Sequence, residues 1–377
     1  MTTPVVLYVI ALLVRLAALA LWPFDGLYGQ DAYDYYRYAV LLRDGLSQGQ
    51  GAPPFFWPIG YPLHIVAGSL AVGMRPLAGQ IVSILAGALV APLTFALARE
   101  ALWPVDAPRA RRAGVVAGLT VAVAGQLMIS SLSIMSDAVG LAWATASALF
   151  TLRTASTRRP ADLLLAAGTW SMATITRWIF GLLVLPWALC VLIAWRRNWR
   201  SIDMRRAVAL TLLAGAIAGL IVGPLLFGGA HTGDLQVVGW DPANAFRREV
   251  VNTDGTWQYP MPTGLFYLQP LVVPGYVFPL LVPLWLIGLG ALGRVRSSAR
   301  VLLIGWPLAV YVFLAGIAWQ NPRFALALFP PLAVWVGLGF DLVWERRPTL
   351  RRWLVGLTAA ALVGWLLWSA RVVGNFV

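Results

Sequence analysis

Residues 76–98 read PLAGQIVSILAGALVAPLTFALA, a run without any charged side chain. A membrane-spanning helix needs about 20 predominantly apolar residues, so this run is long enough to cross a bilayer. Comparable runs occur at 4–22, 113–152, 161–195, 207–227, 271–292, 301–318, 324–343 and 353–370. Because two of these, 113–152 and 161–195, are each about the right length for two helices, the sequence predicts about eleven spans.

The composition supports a membrane protein and excludes other classes. Of the 377 residues, 60% are hydrophobic and 11% are charged, whereas a soluble domain carries about 25% charged residues. The single cysteine, Cys190, allows no internal disulfide. We therefore predict an all-α, polytopic bundle that forms one domain over residues 1–377, with a first outer loop at 23–75 and a long outer loop at 228–270.

The positive charge has a pattern that indicates topology. The net charge is +13, and all 28 basic residues are arginines. In a soluble protein this excess would suggest nucleic acid. Here most arginines fall in five clusters between apolar runs, at 99–112, 153–159, 196–206, 294–300 and 346–352. By the positive-inside rule these loops are cytoplasmic. We therefore expect a multi-pass protein of the cell membrane with a cytoplasmic N-terminus and no nucleic-acid partner.

Two segments outside the clear spans carry separate expectations. Residues 61–74 are short for a span and suit an interfacial or re-entrant helix, which keeps 23–60 on the outer side. The loop 228–270 is rich in Gly and Pro. Its run AFRREVV, at 245–251, is expected to form a short helix capped by Asp241 or Asn244.

Isolated charges remain at the predicted outer helix ends. Asp31 and Asp34 stand three residues apart, so on a helix they share one face. This helix is expected to lie along the membrane surface through Tyr33, Tyr36, Ala39, Val40 and Leu42. The two acids either cap the helix or act as a general base toward an acceptor hydroxyl.

The remaining outer charges sit at hairpin turns. Asp137, Arg177 and Arg323 each occupy one predicted turn. An arginine at a helix end either extends toward lipid headgroups or binds phosphate, whose oxygens match the planar guanidinium. Arg247 and Arg248, in the long loop, join the candidate substrate-binding residues.

Aromatic and histidine residues complete the candidates. The stretch GAPPFFWPIGYPL at 51–63 is either a stiff interfacial turn or a wall that stacks on a sugar or prenyl chain. His64 and His231 are the only histidines, and no spacing of ligands indicates a metal site. No phosphate-binding loop or dinucleotide fingerprint occurs. We therefore predict no cofactor, and a divalent metal has no ligand motif to support it.

The order of these features resembles the GT-C superfamily of membrane glycosyltransferases, in particular the branch of protein O-mannosyltransferases and lipid A aminoarabinose transferases. In that family an acidic residue or pair follows the first span, which matches QDAYDYYRYA at 30–39. A Pro/Tyr-rich stretch similar to PPFFWPIGYPLH follows. Three later outer pairs match Ser136-Asp137, Arg177-Trp178 and Arg323-Phe324.

The resemblance implies an activity and roles for these residues. The family transfers a sugar, usually with inversion, from a polyprenyl-phosphate donor to an acceptor hydroxyl at the outer membrane face. Asp31 would be the catalytic base with Asp34 as its neighbour, although the Asp-x-x-Asp spacing leaves open which of them is the base. The substrate-binding residues that the resemblance implies are Asp137, Arg177, Trp178, Arg323, Tyr61 and His64, to which the charges of the long loop add Arg247 and Arg248.

Partners and alternatives follow from the same assignment. The expected partners are a polyprenyl-phosphate-linked sugar, a glycan, lipid or protein acceptor, and membrane lipids. The main alternative is a transporter or flippase for a lipid-linked or anionic substrate, and a weaker one is a non-catalytic scaffold. A transporter places polar residues near the midplane in paired broken helices. An outward cavity that holds Asp31 and an arginine favours the enzyme.

Overall fold

The computed structural model describes residues 2–51, 53–102, 107–157, 159–197, 204–227, 239–252, 255–268 and 278–376. These residues form a bundle of fifteen α-helices and one two-stranded hairpin. In chain order the helices are α1 (Thr3–Leu21), α2 (Gly29–Ser47), α3 (Gly60–Val72), α4 (Pro76–Ala101), α5 (Ala107–Ala122), α6 (Gly125–Leu132), α7 (Ser136–Thr157), α8 (Pro160–Thr176), α9 (Val184–Arg197), α10 (Met204–Phe227), α11 (Thr263–Phe266), α12 (Val282–Ala291), α13 (Ser297–Gly316), α14 (Phe329–Arg346) and α15 (Arg351–Phe376).

Short 3-10 helices join several of these elements, and four of them lead directly into α9, α12, α14 and α15. They are Trp178–Leu183, Pro242–Phe246, Pro279–Leu281, Leu292–Arg294, Pro322–Leu328 and Pro348–Leu350. The helical bundle confirms the predicted fold class. The hairpin, formed by β1 (Glu249–Asn252) and β2 (Gly255–Gln258), is the one exception to an all-α chain within the described ranges.

Among the described residues, six helices are long and apolar enough to cross a membrane. They are Thr3–Leu21, Pro76–Ala101, Trp178–Arg196, Ser297–Gly316, Pro322–Arg346 and Pro348–Phe376. The pair α5 and α6, bent by 55°, would make a seventh span. The protein is therefore a multi-pass membrane protein, and the larger count of about eleven spans stays a prediction. The 13-residue α3 is one of the shorter apolar helices and is not among the six candidate spans. This agrees with the prediction that the run at 61–74 is short for a span.

Ion pairs join the Arg-rich loops at one end of the bundle. Arg109 and Arg112, at the start of α5, bind Asp341 and Glu345 near the end of α14; these four residues are called the basic-end cluster. The α14 helix begins after Arg323 and runs to this cluster, so Arg323 lies at the opposite end. The arginine pattern predicted that the Arg-rich loops and Arg323 lie at opposite ends of the bundle. The assignment of the Arg-rich end to the cytoplasm stays a prediction.

Small residues allow the helices to approach closely, as is common in membranes, where little hydrophobic force drives helix association. A Cβ on Gly337 of α14 would lie 2.1 Å from the Ala113 carbonyl oxygen of α5. Glycine at this position lets α14 enter the centre of the bundle. The central location of α14 brings the start of this helix, and with it Arg323, beside α7.

Arg15 is fully buried in α1 and faces the bundle, as an arginine within a span must. Its Nε donates to Ser131 Oγ at 3.0 Å, and its Nη1 donates to the carbonyl oxygens of Ala11 and Ala122. Ala122 is the last residue of α5, next to the bend before α6. The guanidinium therefore satisfies a carbonyl oxygen at a helix end.

Two local expectations were wrong. Asp241 does cap a helical turn, accepting from Ala243 N at 2.9 Å, but this 3-10 helix ends at Phe246. Instead of a helix over AFRREVV, the residues after Arg248 pair as an antiparallel hairpin, with Val250 opposite Trp257. Consecutive β-branched valines favour a strand. His231 lies outside the described residues.

The second wrong expectation concerns the faces of α2. Ala39 and Leu42 are fully buried against the protein instead of facing the membrane surface, whereas Tyr33 is exposed, as that expectation requires. The cause is an aromatic cluster between α2 and the following segment. Tyr38 stacks on Phe55 with ring centroids 3.9 Å apart. The helix therefore turns its small and aromatic face inward.

Candidate active site

At the end of the bundle opposite the basic-end cluster, Asp31 and Arg323 form an ion pair. Asp31 lies in the first turn of α2, where the helix dipole favours a carboxylate. Arg323 is the second residue of the 3-10 helix before α14. The Arg323 Nη2 donates to Asp31 Oδ2 at 2.7 Å, across 292 residues of sequence. This distance is typical of a charge-assisted hydrogen bond.

Asp137 joins two arginines behind this pair. It lies in the first turn of α7 with a side chain only 3% exposed. Its Oδ1 is 2.9 Å from Arg177 Nη1, and its Oδ2 is 3.7 Å from Arg323 Nε. A buried carboxylate is stable only when it is paired. Asp31, Asp137, Arg177 and Arg323 are hereafter called the four-charge cluster.

Local caps fix the position of Arg323. The Asn321 side chain accepts a hydrogen bond from Arg323 N at 2.9 Å and so begins the 3-10 helix. Tyr267, just after α11, accepts from Asn321 N at 3.1 Å and donates to the Trp319 carbonyl oxygen at 3.0 Å. The long outer loop thereby holds the turn that carries Arg323.

Arg177 ends α8, where its extended backbone stops the helix. A Cβ on Gly140 of α7 would lie 2.8 Å from the Phe180 ring, so glycine lets the turn after Arg177 pack onto α7. The guanidinium carbons of Arg177 and Arg323 each lie 5.5 Å from the centroid of the Phe324 ring. One aromatic ring therefore positions both cations.

Neutral hydroxyls support the cluster. Ser136 Oγ accepts from Tyr35 OH at 3.1 Å and from Arg177 Nη1 at 3.4 Å. Burial raises the pKa of Tyr35 to about 12, so it remains a neutral hydrogen-bond donor at physiological pH. Tyr61 packs edge-on against Tyr35 and contacts Ser83 Oγ at 2.7 Å. Tyr61 thus lies behind the cluster as support.

The charges in the cluster cancel, two against two, but its hydrogen bonds do not close completely. Asp137 Oδ2 and Arg323 Nε are both buried, and neither has a hydrogen-bond partner within the described residues. Their separation of 3.7 Å is beyond hydrogen-bonding distance. Arg323 therefore retains a buried N–H whose hydrogen-bonding capacity is unfilled in this arrangement.

A cavity of about 650 Å³ adjoins the cluster, within the range of about 300–1,000 Å³ typical of ligand sites. Asp31 and Arg323 lie on its wall, together with Asn321 from the preceding turn. The opposite wall comes from α6 and from Asn375 and Phe376 at the end of α15. We call it the Asp31 cavity.

Asp34, one turn further along α2, faces a different space. It lines a second cavity of about 490 Å³ with Arg37 and the aromatic segment 54–57. We call this second space the α2 cavity. Gln30 lines both cavities, so the two meet at the start of α2. The structure therefore separates the two acids that the sequence paired.

The other predicted residues lie apart from the four-charge cluster. His64 contacts the Gly60 carbonyl oxygen through Nδ1 and accepts from Trp143 Nε1 through Nε2, 3.0 Å away. Trp178 packs on the hydrophobic cluster around Ile175. Arg247 pairs with Asp241, and Arg248 donates to the Pro260 carbonyl oxygen, both within the long outer loop. Their predicted contacts with substrate stay predictions.

Sequence reasoning did not identify Tyr35, Asn321 or the end of α15 as parts of the site. Asn321 carried a detectable signal, since Asn-Pro-Arg places a capping side chain before a proline. The position of Asn375 and Phe376 beside Asp31 depends on helix packing across the whole chain. In the part of the chain that the structure describes, no group of three or more His, Cys, Asp or Glu side chains could hold a metal ion.

Comparisons with known proteins show similarity in structure. A scan against protein-family models and a search of curated proteins found no match. ArnT from Cupriavidus metallidurans, bound to undecaprenyl phosphate, superimposes with a TM-score of 0.70 at 16% identity, covering 99% of this chain and 77% of ArnT. The same protein in the apo state gives 0.66, again at 16% identity, with 99% and 76% covered.

A second structural neighbour is an oligosaccharyltransferase from Archaeoglobus fulgidus. Its complex with Zn and sulfate gives a TM-score of 0.65 at 16% identity, and covers 97% of this chain and 52% of the archaeal one. The chain thus spans about half the length of that enzyme. Both neighbours are members of the GT-C superfamily. The resemblance in the sequence is therefore confirmed at the level of structure, and the chain has the GT-C fold.

Proposed function

We propose that this protein is a GT-C-type glycosyltransferase that moves a sugar from a polyprenyl-phosphate donor to an acceptor hydroxyl at the outer membrane face. The observation that carries the proposal is the four-charge cluster beside the Asp31 cavity. It sets Arg323 and the partly exposed carboxylate of Asp31 on the wall of a space large enough for a sugar phosphate, with Arg177 behind them on Asp137. The similar fold of ArnT bound to undecaprenyl phosphate supports a lipid-phosphate ligand.

In the proposed reaction, the acceptor oxygen forms a bond to the anomeric carbon of the donor sugar. The bond from that carbon to the phosphate oxygen breaks, and its electron pair stays on the phosphate. The hydroxyl proton passes to Asp31, and polyprenyl phosphate leaves. Attack from the side opposite the phosphate inverts the configuration of the anomeric carbon. Arg177 and Arg323 stabilise the charge that develops on the leaving group.

Charge balance indicates how the phosphate of the sugar donor binds. The cluster is already neutral, so a phosphate must replace one carboxylate as a partner of the arginines. Asp31 is the more accessible acid, with 34% of its side chain exposed against 3% for Asp137. The incoming phosphate therefore takes Arg323 from Asp31. The released carboxylate is then free to accept a proton.

The cavity argues for an enzyme over a transporter. It holds Asp31 and an arginine at one end of the bundle, which is the arrangement expected of a transferase. Its wall includes the last turn of α15, a helix most of whose surface is exposed. A lipid-linked substrate can therefore reach the cavity from the bilayer. Arg15, the charge within the first span, is bonded to protein groups and lines neither cavity.

The test is a transfer assay. Purified protein in lipid nanodiscs is incubated with a panel of labelled polyprenyl-phosphate sugars and a delipidated envelope extract as the source of acceptors. We expect label from at least one sugar to move onto an acceptor, and the Asp31→Asn variant to lose this transfer. Asp44→Asn, an exposed acid on the same helix, serves as the control. Absence of transfer from every sugar, or equal transfer by Asp31→Asn, contradicts the proposal.

A further inference from the structure

The α2 cavity has walls of its own and meets the Asp31 cavity at Gln30. One of its walls is a single face of α2, because residues 30, 34, 37, 38 and 41 recur at helical spacing. The other wall is the extended segment 54–57. The opposite face of α2 is buried in the protein, with Ala32 and Ala39 inaccessible. The helix therefore holds the cavity wall firmly in place.

Three polar side chains of this cavity are unused, while the hydroxyl of a fourth, Tyr38, donates to the Pro53 carbonyl oxygen. Asp34 and Arg37 form no hydrogen bond or ion pair, with each other or with any other residue that the structure describes, and the same holds for Gln30. Together they offer a carboxylate acceptor, a guanidinium donor and an amide that does both. The charges of Asp34 and Arg37 cancel. Such a set suits a neutral ligand with several hydroxyl groups better than an anion.

The aromatic wall points to the same ligand class. Phe56 is 46% exposed at the cavity, and Trp57 makes edge-on ring contacts with both Phe55 and Phe56. Aromatic faces carry partial negative charge and attract the weakly positive C–H groups of a sugar ring. An apolar wall opposite hydroxyl-binding groups matches the two faces of a pyranose or furanose.

We propose that the α2 cavity binds a neutral sugar ring of the acceptor, which makes the acceptor a glycan. Its role as the acceptor site rests on the proposed function, because Gln30 connects it to the cavity assigned to the donor. The acceptor hydroxyl then approaches the donor sugar past Gln30 and Asp31. Asp34 accepts hydrogen bonds from neighbouring hydroxyls and fixes the ring, while the reacting proton goes to Asp31.

The test measures sugar binding directly. Saturation-transfer NMR is recorded for the full chain in phosphatidylglycerol and phosphatidylethanolamine nanodiscs, with methyl glycosides of mannose, glucose, galactose and arabinose as probes. We expect transfer to the ring protons of at least one glycoside. Asp34→Asn and Phe56→Ala should each weaken its Kd by about tenfold or more, since each removes one of the two recognition elements. Asp44→Asn should bind as the parent does.

Parallel measurements separate this inference from the proposed function. Undecaprenyl phosphate should bind Asp34→Asn and Phe56→Ala normally, which also shows that these variants are folded. Arg323→Ala should lose undecaprenyl phosphate and keep the glycoside. Retention of the lipid phosphate by Arg323→Ala would overturn the proposed function alone. The inference itself is overturned if no glycoside binds the parent, if Asp34→Asn and Phe56→Ala bind unchanged, or if glycerol 1-phosphate displaces the glycoside equally well.

Discussion

Opposite ends of the bundle each carry a cluster of arginine and carboxylate side chains. The two clusters differ in how completely their hydrogen bonds are formed. In the basic-end cluster, both oxygens of the buried Asp341 accept hydrogen bonds, from Arg109 Nε at 3.2 Å and from Arg112 Nη2 at 2.9 Å. In the four-charge cluster, Asp137 is equally buried, but one of its oxygens and Arg323 Nε have no hydrogen-bond partner in the described chain.

The surroundings of the two clusters also differ. None of the residues of the basic-end cluster lines either cavity, whereas Asp31 and Arg323 face the Asp31 cavity. A satisfied network holds helices together, and an unsatisfied one beside a cavity is available to a ligand. This difference supports the proposal that the basic-end cluster is structural and that the four-charge cluster belongs to the reactive site.

The largest expected effect comes from Asp31→Asn. Transfer should fall by about 10²–10⁴-fold, the usual contribution of a general base. Undecaprenyl phosphate should bind this variant more tightly than the parent, because a carboxylate no longer competes for Arg323. The two readouts are a single-turnover transfer assay and equilibrium binding of the lipid phosphate. Weaker lipid-phosphate binding by Asp31→Asn contradicts the exchange of partners proposed here.

The next largest effect is expected from a change in the basic-end cluster. Asp341→Asn leaves Arg109 and Arg112 with Glu345 as their remaining partner in the cluster, so the cost should be below the roughly 3–5 kcal/mol of breaking a fully buried pair. We expect a lower thermal unfolding midpoint and nearly normal transfer per folded molecule at a temperature where the variant is folded. Asp44→Asn is the exposed control. A large loss of transfer in folded Asp341→Asn shows that the basic-end cluster is more than structural.

Arg177→Ala should have a smaller and more selective effect. Removing one charged hydrogen bond to phosphate, worth about 1.5–3 kcal/mol, raises the KM for the polyprenyl-phosphate sugar by roughly ten- to a hundredfold. The KM for the acceptor should change little. Steady-state kinetics with each substrate varied in turn measures the two values. Equal increases in both mean that Arg177 does not recognise the phosphate specifically.

The smallest expected effect is that of Tyr35→Phe. This change removes the hydroxyl that donates to Ser136 Oγ and keeps the ring packed on Trp57 and Tyr61. One neutral hydrogen bond contributes about 0.5–1.5 kcal/mol, so transfer should fall by only a few fold. The pH profile should keep its shape, because Tyr35 is neutral throughout the physiological range. A shifted pH profile assigns Tyr35 a direct part in proton transfer.

Many of the helices and the positions of the four charged residues could be predicted from the sequence. Apolar runs indicate helices long enough to span a membrane, and arginine-rich loops indicate the side of the membrane on which a loop lies. The runs at 76–98 and 353–370 lie within helices of the structure, and the run at 301–318 extends two residues past the end of α13. The arginine pattern also left Asp31, Asp137, Arg177 and Arg323 at predicted outer helix ends. Their convergence was expected from sidedness and from the family resemblance, and the contact between Asp31 and Arg323 is observed.

Other features depend on contacts that no local pattern encodes. The inward face of α2 is set by the stacking of Tyr38 on Phe55, which overrides the amphipathic spacing. The α15 residues Asn375 and Phe376 reach the Asp31 cavity only because the whole bundle brings them there. The separation of Asp31 and Asp34 into two cavities likewise follows from what packs on each side of α2.

The central claim is that the four-charge cluster binds the phosphate of a polyprenyl lipid. The most direct test is equilibrium binding of undecaprenyl phosphate to the purified parent protein and to Arg323→Ala, with Arg109→Ala of the basic-end cluster as the matched control. We predict that the parent and Arg109→Ala bind with the same Kd and that Arg323→Ala binds at least about tenfold more weakly. Equal binding by all three proteins would contradict the account.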